Sequence, residues 1–156
     1  MAVTVESGEA PDTTIEAPHG RTTPIEISAV VPVYRSASTL AELHRRLTAA
    51  LASVADRHEI ILVEDAGGDG SWEQIERIAG DDPAVRGIRM GRNYGQHNAI
   101  LCGIRAARYG LIVTLDDDLQ NPPEEIGKLV AALGDDVDVV YGTPSQEQHG
   151  FLRDQG

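Results

Sequence analysis

Hydrophobic and polar positions form alternating blocks along the chain, and these blocks predict strands and helices in turn. Short apolar runs with little internal alternation are typical of strands covered on both faces. The first four runs are each followed by apolar residues three or four positions apart, which indicates an amphipathic helix. The predicted strands are 25–33, 59–63, 85–90, 111–115 and 137–141. The predicted helices are 40–54, a helix beginning at Ser71, 97–108 and 122–133. This alternation over short joins predicts an α/β fold with a parallel sheet and helices on both faces.

Two helix starts carry capping signatures. Thr39, with Glu42 three residues later, forms a capping-box pattern before the first helix. Ser71 with Gln74 predicts the cap of the second helix in the same way. The third helix is predicted to face the sheet with its large apolar residues, Ile100, Leu101 and Ile104.

Length and local composition divide the chain into three parts. A chain of 156 residues suits one domain. Residues 1–24 are rich in Thr, Glu, Pro, Gly and Ala, and they are predicted to be a disordered tail because they bury too little apolar surface. Residues 25–145 are predicted to form the α/β domain. Residues 146–156 are predicted to be the start of a truncated, acceptor-side segment.

Composition narrows the possible partners and compartments. The formal net charge of −12 argues against nucleic acid, because binding to a phosphate backbone needs a basic face. The single cysteine, Cys102, excludes an internal disulfide and is interpreted as a small buried side chain. No apolar run approaches the roughly 20 residues of a membrane span. We therefore expect a soluble, cytoplasmic chain, with the cytoplasmic face of the membrane as an alternative location for a full-length form.

Polar and special residues cluster where the predicted strands end. In an open parallel sheet, ligands bind beyond the carboxyl ends of the strands. Four clusters lie at such ends, at 32–35, 64–65, 91–96 and 116–120, and together they predict a single cleft. The first strand-to-helix turn has neither the glycine-rich dinucleotide fingerprint nor a phosphate-binding loop, which argues against NAD and ATP.

The last of these clusters begins with three consecutive aspartates. Period-two alternation sends Asp116 and Asp118 to one side of the strand end and Asp117 to the other. Asp116 and Asp118 could therefore share a metal, and Gln120 could add a neutral oxygen. Oxygen ligands favour a hard divalent ion, Mg²⁺ or Mn²⁺. The alternative is a solvated acidic turn that helps to start a helix.

Three further residues near the predicted cleft have two interpretations each. Asp65 could accept hydrogen bonds from a nucleobase or ribose, or it could cap a helix. Arg92 lies in the loop at the cleft, unlike the basic residues around it that suit a solvated surface. His97 is interpreted as a capping or packing residue rather than a catalytic base.

From about Ile27 to Tyr141 the sequence resembles the nucleotide-binding half of family-2 glycosyltransferases of the GT-A fold. It looks most like the branch that moves a sugar from a nucleotide donor to a polyprenyl or dolichyl phosphate. The last matching stretch is the most specific, because the metal-binding Asp-x-Asp of that branch is followed by Leu-Gln and a Pro-Pro-Glu helix start. The matching stretches are Val30–Tyr34, Ile61–Asp65 with Asp69–Ser71, Arg92–Ala99 and Leu115–Glu124.

The resemblance implies a mostly parallel, Rossmann-like nucleotide-binding sheet of the GT-A type, truncated to the donor half. It implies a metal-dependent, inverting transfer from a UDP- or GDP-linked sugar to a polyprenyl phosphate, in cell-wall or glycan biosynthesis. An acceptor that is already an ionised phosphate needs no general base, so the catalytic residues stay unassigned. The implied nucleotide-sugar contacts are Pro32, Tyr34, Val63, Asp65, Asp116 and Asp117. The implied ligands of Mg²⁺ or Mn²⁺ are Asp116, Asp118 and Gln120.

The sequence departs from the family pattern in two places, and two other interpretations stay open. Arg35-Ser36 stand where the family commonly has Asn-Glu, and Thr143-Pro144-Ser145 stand where it usually supplies an Arg. One alternative is a catalytically incomplete nucleotide-sugar-binding fragment or interaction module. The other is a receiver-type signalling domain, which would need an acid pair at the end of the first strand, where this chain has Pro32-Val33-Tyr34.

Overall fold

Six strands of the described residues form one mixed sheet. The computed structural model describes residues 1–5, 23–133 and 139–141. The strand order in the sheet is β4-β3-β2-β5-β1-β6. The chain from β2 to β5 builds four parallel strands, and β1 is antiparallel to both of its neighbours. This confirms the predicted, mostly parallel sheet. The strands are β1 (Ala2–Val5), β2 (Glu26–Val33), β3 (Arg57–Glu64), β4 (Val85–Arg89), β5 (Leu111–Thr114) and β6 (Val139–Tyr141).

Four helices cover the two faces of the sheet. They are α1 (Leu40–Val54), α2 (Ser71–Asp81), α3 (Gln96–Ala106) and α4 (Ile126–Ala132), and a 3-10 turn at Pro123–Glu125 precedes α4. The larger apolar core lies between the sheet and α1, α2 and α4. A smaller cluster lies on the opposite face, under α3. Because both faces are covered, the middle strands carry apolar runs such as Ala29–Val31 and Ile60–Val63, as their sequences predict.

Helix α3 contacts the sheet through its small residues. Ala99 and Gly103 lie one turn apart and are buried. A Cβ added at Gly103 would clash with Val30 and lie 3.1 Å from Cγ2 of Val63, so the helix approaches the sheet too closely for a larger residue. Leu101, which was predicted to face inward, is 44% exposed. That prediction is wrong because the close approach reserves the contact face for small side chains.

The predicted capping box of α1 is wrong. Thr39 stands at the N-cap with helical backbone angles, and its side chain makes no cap bond. Its hydroxyl lies 3.0 Å from the carbonyl oxygens of Ser36 and Asp117. Glu42 instead accepts hydrogen bonds from Arg45, one turn further along the helix. The hydroxyl is taken by a contact distant in sequence, which a local pattern does not predict.

The start of α2 also differs from its predicted cap. Gly70, with φ of 91°, is the N-cap, and Ser71 is the first helical residue. The Asp69 carboxylate accepts the Ser71 hydroxyl at 2.6 Å, the Ser71 amide at 3.2 Å and the Ala37 amide at 3.1 Å. Partial burial works to raise the pKa of Asp69, but these hydrogen bonds outweigh it and hold the pKa below its ordinary value. Asp69 therefore joins the start of α2 to the turn that precedes α1.

The amino-terminal prediction is wrong for residues 2–5, because β1 lies in the sheet between β5 and β6. Val3 is completely buried there. Local composition missed this strand, since its stability comes from hydrogen bonds to strands that are distant in sequence. The rest of the predicted tail that falls in 6–22 lies outside the described residues, as does the predicted segment 146–156. Within the described part of the chain, no helix has the length and apolarity needed to cross a membrane.

The close approach of α3 to the sheet predicts a cost for enlarging its contact face. We expect Gly103→Ala to lower the free energy of unfolding by about 1–3 kcal/mol, because overpacking displaces Val30 and Val63. Urea unfolding at equilibrium measures this change.

Gly80 in α2 provides the matched control. A Cβ added there meets nothing within 4 Å. Gly80→Ala should therefore raise the free energy of unfolding by about 0.5–1 kcal/mol through helix propensity alone. Equal changes for the two variants would contradict the packing described for α3.

Candidate functional site

A cavity of about 360 Å³ lies beyond the carboxyl ends of β2, β3 and β5. All four clusters singled out in the sequence contribute to its wall. Asp65 and Asp118, which follow different strands, open onto this same space. Parallel strands bring their carboxyl ends to one edge of the sheet, and this produces the convergence. The cavity is lined by Pro32, Val33, Tyr34, Asp65, Asn93, Gly95, Gln96, Asp116, Asp117 and Asp118.

Asp65 anchors the loop that leads into α3. Its side chain is almost completely buried, and its two oxygens each accept one backbone amide. Oδ1 lies 2.8 Å from the Tyr94 nitrogen, and Oδ2 lies 2.8 Å from the Gly95 nitrogen. Gly95 has φ of 89°, a backbone conformation that glycine adopts without strain. Asp65 thus fixes the loop and still presents its remaining lone pairs to the cavity.

Asp117 joins the loop after β5 to the turn after β2. Its Oδ2 accepts the Tyr34 amide at 3.0 Å and the Ser36 hydroxyl at 2.5 Å. Its carbonyl oxygen lies 3.0 Å from the Thr39 hydroxyl. The charge of Asp117 is therefore stabilised by donors of the protein itself. Asp117 nevertheless lines the same cavity as its two neighbours, and β5 ends at Thr114, before all three.

Asp116 and Asp118 have fewer partners. Oδ1 of Asp116 accepts a hydrogen bond from the side-chain amide of Gln96 at 2.5 Å. Oδ1 of Asp118 accepts one from the backbone amide of Gln120 at 3.0 Å. No described residue donates a hydrogen bond to the second oxygen of either carboxylate. Neither forms a salt bridge within the described part of the chain, although both line the same cavity.

The carboxylates of Asp116 and Asp118 suit a divalent ion that takes only part of its coordination shell from the protein. Across residues 1–5, 23–133 and 139–141, no group of three His, Cys, Asp or Glu side chains is close enough to hold a metal. Mg²⁺ is commonly bound by only one or two carboxylates, with water and phosphate oxygens completing the shell. The two carboxylates at 116 and 118 fit an ion of that kind. They do not form a closed protein cage.

Two predicted site residues lie elsewhere. Val63 is completely buried in the smaller apolar cluster, so its side chain supports the strand rather than lining the cavity. Gln120 is exposed, and its side chain does not line the cavity. Strand alternation explains the first case, because Val63 faces α3 from within the sheet. Gln120 lies beyond Leu119, whose φ of 61° turns the chain away from the strand direction.

Sequence reasoning gave no site role to Val33, at the end of β2, or to three lining residues of the loop after β4, Asn93, Gly95 and Gln96. The last three belong to the segment Arg92–Ala99 that carried the family resemblance, so the segment was recognised but these residues were not assigned. Gln96 has the clearest position, because its amide contacts Asp116. His97, in the first turn of α3, is exposed and does not line the cavity.

Three non-glycine residues with positive φ lie in the loops at this edge of the sheet. They are Arg35 after β2, Ala66 after β3 and Leu119 after β5, with φ of 55°, 56° and 61°. Such a conformation costs free energy for a residue with a side chain, and residues of this kind are concentrated at functional sites. Buried Glu64 supports one of the loops, since its Oε1 accepts the Gly67 amide at 2.6 Å.

The segment after the three aspartates is fixed to α1 by an ion pair. Arg46 donates to both oxygens of Glu124, at 2.8 and 2.7 Å. This bidentate contact lowers the pKa of Glu124 from 4.5 to about 2. The ion pair connects the 3-10 turn at Pro123–Glu125 to α1.

Known proteins similar to this chain are sugar transferases. The profile of a family described as Glycosyl transferase family 2 matches residues 28–155. An undecaprenyl-phosphate 4-deoxy-4-formamido-L-arabinose transferase of Shewanella sediminis is 44% identical over 128 residues, which are 81% of this chain and 39% of that protein. The protein of the same name from Pseudomonas fluorescens is 49% identical over 114 residues, covering 71% of this chain and 33% of its own length. The chain therefore spans well under half the length of these relatives.

A solved structure shares the fold. A mannosyltransferase of Pyrobaculum calidifontis, determined in complex with GDP-Man and Mn²⁺, superposes with a TM-score of 0.63 over 74% of this chain and 34% of that one. The two sequences are 22% identical over this region. The likeness establishes a shared GT-A architecture.

The different surroundings of Asp117 and Asp118 predict that their removal changes the free energy of unfolding by different amounts. Asp117→Ala leaves the Tyr34 amide and the Ser36 hydroxyl without their acceptor, so we expect the free energy of unfolding to fall by about 1–3 kcal/mol. Asp118→Ala removes a charge repelled by its neighbours and one local hydrogen bond. That variant should stay within about 0.5 kcal/mol of the wild type. Urea unfolding in EDTA compares them, and a reversed order would contradict the anchoring role of Asp117.

The lowered pKa of Glu124 predicts a pH-dependent contribution to stability. Because the pKa of Glu124 is lower in the folded state, its carboxylate stabilises the folded protein at pH values above the ordinary pKa. This contribution to stability is lost as the pH falls from about 4.5 towards 2. The Glu124 side chain is more than half exposed, so we expect Glu124→Gln to cost only about 0.5 kcal/mol at pH 7. The difference from the wild type should vanish near pH 2 in thermal unfolding series.

Glu125→Gln is the control, because it removes an adjacent charge whose partner, Lys128, lies on the same exposed surface. It should change the stability less than Glu124→Gln at pH 7. A Glu124→Gln deficit that stayed constant between pH 7 and pH 2 would argue against the ion pair as its cause.

Proposed function

Because the chain belongs to glycosyl transferase family 2, we propose that it binds the nucleotide-sugar donor of an enzyme that transfers a sugar to a polyprenyl phosphate. The observation that carries this proposal is the cavity in which the Pro32–Tyr34 wall meets Asp116 and Asp118, which accept one hydrogen bond each and have no cationic partner among the described residues. The names of the relatives support a polyprenyl phosphate acceptor. Donor binding is proposed for this chain. Sugar transfer is proposed for a whole protein of the relatives' length.

The donor would lie across the carboxyl edge of the sheet. The nucleoside would contact Pro32 and Tyr34, with Asp65 accepting a hydrogen bond from the base or ribose. The ribose and diphosphate would lie near Asp116 and Asp117. Tyr34 suits the nucleoside because this residue is 44% exposed and lines the cavity, so part of its apolar surface is available to a planar base.

Asp116 and Asp118 would hold a divalent ion, Mg²⁺ or Mn²⁺. The mannosyltransferase that shares the fold was determined with Mn²⁺, which supports an ion of this kind. Such an ion stabilises the negative charge that forms on a departing diphosphate. Gln96 keeps the Asp116 carboxylate oriented through its amide. Gln120 is not part of the proposed ligand set, because its side chain does not line the cavity.

The remaining chemistry follows from the acceptor. A phosphate that is ionised at neutral pH is already a nucleophile, so no described side chain has to remove a proton from it. The chain's contribution is to bind and orient the donor, with attack from the face opposite the leaving diphosphate giving inversion. The acceptor contacts are expected from sequence outside the described residues.

Calorimetry with UDP and GDP, in Mn²⁺ and in EDTA, tests the proposal on this chain. We expect one of the two nucleotides to bind, with an affinity at least tenfold higher in Mn²⁺. Asp118→Ala should abolish the metal dependence. Asp81→Ala, which removes an exposed aspartate at the end of α2, should leave it unchanged.

Two outcomes would contradict the proposal at different levels. Absence of binding to both nucleotides would reject donor binding. Metal-dependent binding that survives Asp118→Ala would reject the metal site but keep the nucleotide site. Transfer is then tested on a protein that has the full length of the relatives. Polyprenyl phosphate and the matching nucleotide sugar are added to it, and the sugar transferred to the lipid is measured.

A further inference from the structure

Asn93 offers a hydrogen-bond donor at the cavity that the protein itself does not use. Asn93 lines the cavity, and its Oδ1 accepts the Gly95 amide at 3.0 Å. A backbone amide can only donate, so the side-chain atom that faces it is the oxygen, and the Nδ2 group points elsewhere. Among the described residues, no acceptor takes either N–H of Nδ2. The loop thus uses the oxygen of this side chain and leaves the nitrogen for a ligand.

The other two side-chain amides of this segment are engaged by protein groups. Gln96 donates to Asp116 at 2.5 Å, and Asn98 donates to the Tyr94 carbonyl oxygen at 2.7 Å. Asn98 does not line the cavity. Of these three amides, Asn93 is therefore the one that both lines the cavity and has a nitrogen without an acceptor in the described part of the chain.

Asn93 lies beside Asp65, because both side chains accept the same backbone amide. Oδ2 of Asp65 lies 2.8 Å from the Gly95 nitrogen, and Oδ1 of Asn93 lies 3.0 Å from that atom. Two side chains that follow different strands, β3 and β4, are thereby held next to each other at the cavity. Asp65 is the residue proposed above to accept a hydrogen bond from the base or ribose. The unused donor of Asn93 is therefore adjacent to the proposed nucleoside contact.

The side chains that line the cavity supply many acceptors and few donors. Four of them are aspartates, and an ionised carboxylate can only accept. A nucleobase presents both donors and acceptors on its hydrogen-bonding edge, and uracil and guanine each carry a ring N–H next to a carbonyl oxygen. Asp65 alone would satisfy the N–H and leave the carbonyl oxygen without a partner. An acceptor taken out of water without a donor costs free energy, so a donor beside Asp65 would favour binding of the base.

We propose that Asn93 is a nucleobase-binding residue, whose Nδ2 donates a hydrogen bond to the base carbonyl oxygen next to the N–H that Asp65 accepts. This inference rests on the proposed function. It assigns recognition of the base to Asp65 and Asn93 together, one as the acceptor and the other as the donor. The ribose and the diphosphate are not contacted by Asn93 in this arrangement.

Calorimetry in Mn²⁺ tests this proposal with two ligands, the nucleotide that the chain binds, UDP or GDP, and ribose 5-diphosphate, which lacks the base. We expect Asn93→Ala to weaken binding of the nucleotide about fivefold, as the loss of one hydrogen bond predicts, and to change binding of ribose 5-diphosphate less than about twofold. Gln74→Ala is the matched control, because it removes an amide that contacts Arg77 on α2 and does not line the cavity. It should leave both constants unchanged.

Two variants separate the donor from the support of the loop. Asn93→Ala should keep the loop in place, because Asp65 still accepts the Gly95 amide. Asn93→Asp keeps an oxygen for that amide and replaces the Nδ2 donor with a second acceptor. We expect Asn93→Asp to weaken binding of the nucleotide at least as much as Asn93→Ala. Nucleotide binding by Asn93→Asp as tight as that of the wild type would overturn the assignment, because the donor would then be dispensable.

Nuclear magnetic resonance observes the donor directly. In proton–nitrogen correlation spectra, the Asn93 side-chain signals are identified by their absence from Asn93→Asp. One of the two Nδ2 protons should move downfield when the wild type is saturated with the nucleotide, and should not do so with ribose 5-diphosphate. An unchanged position at saturation with the nucleotide would contradict the hydrogen bond.

The calorimetric outcomes distinguish this inference from the proposed function. Equal weakening of the nucleotide and of ribose 5-diphosphate by Asn93→Ala would move the contact to the ribose or the phosphates and overturn the assignment to the base. An unchanged affinity for the nucleotide would overturn it as well. If the wild type bound neither UDP nor GDP, the proposed function itself would fail, which is a different result.

Discussion

The Asp117 carboxylate makes the interaction on which the geometry of the cavity most depends. It accepts the Tyr34 amide across a separation of 83 residues in sequence. Two loops that leave the sheet at different strands are thereby held at a fixed distance, and the cavity lies between them. Without that acceptor, the turn after β2 would lose the donor–acceptor contacts that define it, and the wall at Pro32–Tyr34 would no longer be fixed against the aspartates.

Two of the four acids thus accept several hydrogen bonds from the fold, and the other two accept one each from the described residues. Asp65 and Asp117 are satisfied by backbone amides and a hydroxyl, which stabilise their charge without any cation. Asp116 and Asp118 have one acceptor contact each and no described cation. Like charges held this close destabilise a protein unless something offsets them. The arrangement is understandable if a cation is the missing partner, since an ion would bind where the protein's own donors are absent.

The regular part of this arrangement could be predicted from the sequence. The three aspartates were expected beside a cleft, and all three line the cavity. The alternation that separates Asp117 from Asp116 and Asp118 stays a prediction, because β5 ends at Thr114, before these residues. The mostly parallel sheet and the common edge followed from the order of apolar blocks. The family match replaces the receiver-type alternative, whose acids were already absent from the end of β2.

The rest depended on contacts that no local pattern contains. Strand β1 is stable because it pairs with β5 and β6, more than a hundred residues away. Thr39 does not cap α1 because Ser36 and Asp117 bring carbonyl oxygens to its hydroxyl. Leu101 is exposed because the backbone of α3 comes close to Val30 at Gly103. In each case a tertiary contact overrides a preference that is correct for an isolated segment.

The cavity concentrates features that reduce the stability of the free protein. Three non-glycine residues with positive φ lie in the loops at this edge, and the four aspartates that line the cavity form no salt bridge with a described residue. The apolar cores on both faces of the sheet, away from the loops, offset that cost. A ligand that binds the folded protein but not the unfolded protein stabilises the fold. The stabilisation grows with the logarithm of the ligand concentration divided by the dissociation constant. A cation bound at this edge would therefore stabilise the fold, because it would supply the positive charge that the aspartates lack.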